Sequence, residues 1–189
     1  MSILANIIAF YFGWFACVLG GANHLPWLGT AIALLLIVAH LWWTVQPVRE
    51  LRLILLSGAL GLVLDSLPVT LGWVHYPSGN VMAGLAPYWI VAMWMLFATT
   101  LNSSLRWLQG RWMLAALLGA VAGPLAYYGG ASLGGITLLA PLPALLLLAL
   151  VWSAALPLLL SWATPADGTA GTDRQTAGRA GSARAEKPV

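Results

Sequence analysis

The chain has 189 residues, of which 61% are hydrophobic and 7% charged, and its formal net charge is +3. Soluble domains are roughly half apolar and a quarter charged, so this chain carries more apolar surface than a water-facing core can hide, and lipid must be its solvent. Its one cysteine, Cys17, excludes an intrachain disulfide, and so small a positive charge does not amount to a nucleic-acid footprint.

A spanning helix needs ~20 mostly apolar residues. Six segments have that character: 3–19, 27–45, 51–71, 87–105, 112–128 and 141–162. The first lacks a basic leader and a small-residue cleavage signal, so it reads as a retained helix rather than a signal peptide. The runs are continuous rather than alternating, which disfavours a transmembrane barrel. The sequence thus predicts an all-α membrane protein with six transmembrane helices in one domain over 1–162. Residues 163–189 are rich in Ala, Gly, Thr and Arg without apolar periodicity, the composition of a disordered tail.

Basic residues set the expected orientation. Arg49 and Arg52 lie between spans two and three, Arg106 and Arg111 between spans four and five, and Arg174, Arg179, Arg184 and Lys187 beyond span six. The other three loops contain no lysine or arginine. Positive residues stay cytoplasmic, which predicts a multi-pass protein of a bacterial inner membrane with both termini inside. Trp42, Trp43, Trp107, Trp112 and Trp162 would mark the inner interface, and Trp27, Trp73 and Trp89 the outer one. Trp14, Trp94 and Trp152 lie deeper, where packing is their expected role.

The odd-numbered spans share a face of small residues at helical steps: Asn6, Ala9, Gly13, Ala16 and Gly20; Gly58, Gly61, Asp65, Pro68 and Gly72; Ala116, Gly119, Gly123, Ala126 and Gly130. Each even-numbered span begins at a proline, namely Pro26, Pro87 or Pro141, a residue suited to the first helical turn. The pattern is compatible with three tandem hairpins in which Gly13, Asp65 and Gly123 are equivalent. If the three small faces met centrally, the glycines would leave room around Asp65.

Asp65 is the chemical focus. An ionisable group within a span is costly and marks a functional site by default. Thirteen residues separate it from Arg52, or ~20 Å along a helix, in the middle or outer half of the bilayer. It reads either as a catalytic or proton-labile carboxylate or as a hydrogen-bonded side chain that pins helices. His24, His75, Tyr76, Tyr88, Trp89, Tyr127 and Tyr128 would form a polar, aromatic mouth above it, with Tyr127 and Tyr128 nearest in depth and able to donate to the carboxylate. A second polar set, Asn6, His40, Thr44, Thr99, Asn102, Ser103 and Ser104, lies at the inner end. It would bind a headgroup or serve interhelical hydrogen bonding. No Cys/His spacing suits a metal, and no Walker loop, G-x-S-x-G elbow or dinucleotide fingerprint is present. No metal or cofactor is therefore expected.

Together, Asn6 with Trp14-Phe15, His40, Asp65, Pro87-x-Trp89, Trp94 with Phe97-Ala98, Ser104-Leu105-x-Trp107, Gly119 and the Gly123-Pro124-x-x-Tyr127-Tyr128-Gly129 stretch give the chain a recognisable pattern. It resembles a bacterial inner-membrane family catalogued as domain of unknown function 2878. The resemblance covers the membrane region and excludes the tail. It supplies no catalytic residue. Family members are encoded beside enzymes resembling cyclopropane-fatty-acid synthases, which implies a role in membrane fatty-acyl modification or envelope stress, with membrane lipids and a lipid-modifying enzyme as partners. The residues leave two other readings open: a small transporter that protonates Asp65, and a non-catalytic assembly partner.

Overall fold

A computed structural model of the protein describes residues 2–163. The tail expected over 163–189 lies outside these residues except for Ala163, which ends the last helix. Six helices make up almost the whole: α1 (Ile3–Ala22), α2 (Pro26–Trp43), α3 (Pro47–Thr70), α4 (Tyr88–Leu101), α5 (Trp112–Ser132) and α6 (Pro141–Ala163). All but α4 are long and apolar enough to cross a membrane.

Local chemistry sets the helix starts. The Ser2 hydroxyl accepts from the Ala5 N–H and caps α1. Proline opens α2 and α3 at the first turn, and Pro87 is the N-cap of α4. α3 therefore begins at Pro47, four residues earlier than the expected span, and draws Glu50 into its first turns.

α4 departs most from expectation. It ends at Leu101, and Asn102 and Ser103 fall in a turn leading to a short 3-10 segment, Arg106–Leu108. Its 14 residues give ~21 Å, less than the ~30 Å hydrocarbon core. The shortness is tolerated because α4 is the central helix, packed against α1, α2 and α3, with Trp89, Ile90, Ala98 and Leu101 fully buried. Non-helical backbone at membrane depth is acceptable where protein covers it.

Consecutive helices pair as hairpins, α1 with α2, α3 with α4 and α5 with α6. The small faces do not meet one another, so the condition for open room around Asp65 is not fulfilled. Each receives a bulky side chain from an even-numbered helix instead. A Cβ on Gly13 would strike Leu96 and Leu36, one on Gly61 would fall within the Trp94 ring, and one on Gly123 within Trp152. The space opposite these three glycines is filled by aromatic and aliphatic packing.

The loops at one end, away from the arginines, meet in a two-stranded antiparallel ribbon of β1 (Val74–His75) and β2 (Thr137–Leu138), with Val74 opposite Leu138 and His75 opposite Thr137. It joins the second hairpin to the third. We call this the ribbon end, and the opposite one, bearing Arg49, Arg52, Arg106 and Arg111, the basic end.

Candidate functional site

Asp65 stands on the small face of α3, buried with Gly58, Gly61 and Pro68. Five residues separate it from the last residue of α3, so it lies ~8 Å below the ribbon end. Only 1% of it is exposed. Burying a carboxylate is expensive unless its oxygens are bonded, and both are. The Trp94 indole Nε1–H donates to Oδ2 at 2.5 Å, and the Tyr127 hydroxyl donates to Oδ1. α3, α4 and α5 thus meet at one side chain.

The glycines explain how those donors reach it. Trp94 lies against Gly61, where any Cβ would displace the ring. Its indole stacks on Trp152 with centroids 4.5 Å apart and planes at 19°, and Phe97 packs edge-on to Trp152 at 5.4 Å. Trp152 in turn occupies the hollow at Gly123. The Trp152 Nε1–H is buried without a hydrogen-bond acceptor of good geometry, its electrostatic neighbour being the Tyr127 hydroxyl.

Tyr76, in the loop after β1, closes the ribbon end. It is 1% exposed and meets Trp89 edge-on at 5.6 Å. Burial, reinforced by the nearby Asp65 carboxylate, pushes its phenol well above the usual tyrosine range, so it keeps its proton. Its hydroxyl has no partner among the described residues. Trp89, expected at the interface, is fully buried and donates to the Ser78 carbonyl at 3.1 Å. Ser66, beside Asp65, accepts from the Ala86 N–H at 3.0 Å and secures the same loop.

A second polar layer forms at the basic end. The Asn6 amide donates to the Thr99 carbonyl at 3.1 Å and accepts from the Ser104 hydroxyl at 2.7 Å. The Asn102 amide donates to Glu50 Oε1 at 2.7 Å and accepts from Gln109 at 2.9 Å. His40 Nε2 lies 3.5 Å from Glu50 Oε2, both side chains being buried. Neither of those two atoms, nor His40 Nδ1, makes a hydrogen bond among the described residues.

The two polar sets distinguished in the sequence lie in two different layers of the structure. Tyr127 joins Asp65. Asn6, His40 and Asn102 join the basic layer. Tyr128 is 60% exposed, one helical step from Tyr127 and off the buried face of α5. The hydroxyl that reaches Asn6 belongs to Ser104, whereas Ser103 contributes backbone bonds with Thr100 and Arg106. Trp94 and Trp152 were expected only to pack, whereas Trp94 also bonds Asp65, and nothing in the sequence reading pointed to Glu50. Glu50 was discoverable, because Pro47 opens a helix by the same rule applied to Pro26, Pro87 and Pro141.

A cleft of about 740 Å³ runs between α1 and α5. Its walls include Phe10 and Trp14 on one side and Ala122 and Ala126 on the other, and its floor includes Trp94 and Trp152. Tyr127 also lines it, so both donors to Asp65 border the cleft while the carboxylate lies behind them. Among the described residues no three His, Cys, Asp or Glu side chains group to hold a metal.

Searches of curated proteins and of solved structures found no match. The family model "Protein of unknown function (DUF2878)" matches residues 3–158, which takes in both polar layers and the cleft between α1 and α5. With that match over most of its length, the chain belongs to the DUF2878 family of membrane proteins.

Proposed function

We propose that the protein works on membrane lipids, as an accessory protein or enzyme of fatty-acyl modification in a bacterial inner membrane, with the basic end cytoplasmic. One observation carries this reading: the two donors that satisfy Asp65 are also walls of an apolar cleft about 740 Å³ in volume. Such a cleft suits a hydrocarbon chain better than a polar solute, which would need more hydrogen-bonding groups along its path. Tyr127 is the hydroxyl of the cleft wall that contacts Asp65. Its hydroxyl donates to Asp65, so a proton reaching the Tyr127 oxygen from the cleft can pass on to the carboxylate in one concerted relay, with Asp65 as the general base. Trp94 holds the other carboxylate oxygen and fixes the orientation of the pair.

The test compares membrane lipid profiles of a wild-type strain, a deletion strain, and deletion strains complemented with Asp65→Asn or Tyr127→Phe. The reading expects an altered acyl profile in the deletion strain that neither variant restores. An unchanged profile in the deletion strain refutes it.

A further inference from the structure

The two ends of the cleft differ in their surroundings. At the ribbon end α1 and α5 approach each other: a Cβ on Gly129 would lie 3.7 Å from the Trp14 ring, and one on Gly130 would lie 4.0 Å from a Val18 methyl. Farther toward the loops a Cβ on Gly134 would lie 3.6 Å from that of Ala22. At the basic end the floor continues through Thr100 and Ser104 to Trp107, which is 52% exposed. The Arg111 guanidinium lies over the Trp107 ring, 5.8 Å from its centroid.

Charge differs between the two ends as well. Arg49, Arg52, Arg106 and Arg111 are all exposed at the basic end, and among the described residues the carboxylate there, Glu50, is buried against His40. The ribbon-end loops contain no lysine or arginine. An apolar slot with a cationic, tryptophan-bearing mouth matches a molecule with an anionic head and a hydrocarbon tail. Each exposed arginine near a membrane surface attracts anionic lipid, and a tryptophan at the mouth matches headgroup depth.

We infer that the cleft binds one anionic glycerophospholipid, its phosphate at the Trp107–Arg111 mouth and one acyl chain lying between α1 and α5 toward Tyr127. This assignment rests on the lipid reading above and names its ligand. From Trp112 to Tyr127 is fifteen residues, ~22 Å of helix, whereas one leaflet supplies ~15 Å of hydrocarbon. A chain must therefore be extended to touch Tyr127, and shorter chains end near Gly119 and Gly123.

The experiment uses the full-length protein, purified in detergent and delipidated. It is titrated with phosphatidylglycerol or phosphatidylethanolamine of matched chains, and native mass spectrometry counts the lipids retained. The wild type should hold one phosphatidylglycerol in preference to phosphatidylethanolamine. Arg111→Ala should lower that preference about fivefold. Ala122→Phe, which fills the cleft from α5, should abolish retention of the single lipid, and Leu118→Trp supplies the same block should Ala122→Phe fail to fold. Equal retention of the two lipids by the wild type overturns the assignment, as does undiminished retention in a folded blocking variant. Asp65→Asn should still bind the lipid. Binding alongside an unaltered lipid profile in the deletion strain would keep this assignment and remove the role in lipid modification. An altered profile without selective binding would do the reverse.

Discussion

Replacing Gly61 by alanine tests whether Trp94 is held in place by its surroundings. The substitution is favourable in an isolated helix, where alanine gains ~0.5–1 kcal/mol over glycine. At position 61 the new methyl falls within the Trp94 ring. The indole has little freedom to retreat, because its N–H is bonded to Asp65 and its face is stacked on Trp152. Displacing it would forfeit a hydrogen bond to a carboxylate, ~1.5–3 kcal/mol, and a ring contact worth ~0.5–1.5 kcal/mol. Hydrogen bonds between membrane helices run lower than this range, so the net loss should be about 1–3 kcal/mol. Gly129→Ala is the matched control. It is also helical, but its methyl would meet nothing closer than the Trp14 ring at 3.7 Å, an ordinary contact. Thermal unfolding in detergent, followed by near-ultraviolet circular dichroism of the tryptophans, should place Gly61→Ala below the wild type and Gly129→Ala at or above it. If Gly61→Ala is as stable as the wild type, Trp94 is not clamped and the account of the site fails.

Three further outcomes follow from the same geometry. Trp94→Phe and Tyr127→Phe share the acceptor Asp65, so a double-mutant cycle of unfolding free energies should show a coupling of ~0.5–2 kcal/mol, and additive effects would contradict the shared carboxylate. Gly29→Ala would bring a methyl within 2.6 Å of the Cys17 Cα. Because that neighbour is backbone, the first hairpin should lose ~1–3 kcal/mol in the same unfolding assay. Asn102→Ala removes one bond to Glu50 and one from Gln109. It should cost ~1–3 kcal/mol, and a neutral result would show that the basic layer is solvated rather than buried.

Composition and run length were enough to reveal six apolar helices, because lipid imposes a length that sequence shows directly. The prolines located the helix starts, and at Pro47 the same rule extends a helix that hydropathy alone begins at Leu51. The charged pair Arg49 and Glu50 obscured this, since charge reads as loop although a helix end can hold both. Asp65 stood out through rarity, and its depth drew attention to Tyr127. Trp94 did not stand out, because an indole within a span is ordinarily a packing group and its partner lies 29 positions away. The small faces were legible as periodicity. What filled them was not, because the complement of a glycine is a side chain on another helix, and no local signal names it.

The two polar layers join different parts of the bundle, and this gives Asp65 a mechanical role alongside any chemical one. The basic layer ties α1, α2, α3 and the turn after α4 through Asn6, His40, Glu50 and Asn102. These elements already pack around α4, so the layer reinforces an existing contact. α5 packs chiefly on α6, and its tie to the centre of the bundle includes the single bond from Tyr127 to Asp65. α5 is also one wall of the cleft, whose opposite wall is α1. A ligand that displaced the Tyr127 hydroxyl would therefore act on the joint that sets the position of that wall. Conversely, loss of the Asp65 acceptor would free the wall before it changed any chemistry. In Asp65→Asn the amide retains one acceptor oxygen, and in Asp65→Leu none remains. Cleft geometry should thus fail in leucine and persist in asparagine, whereas a proton-transfer role should fail in both.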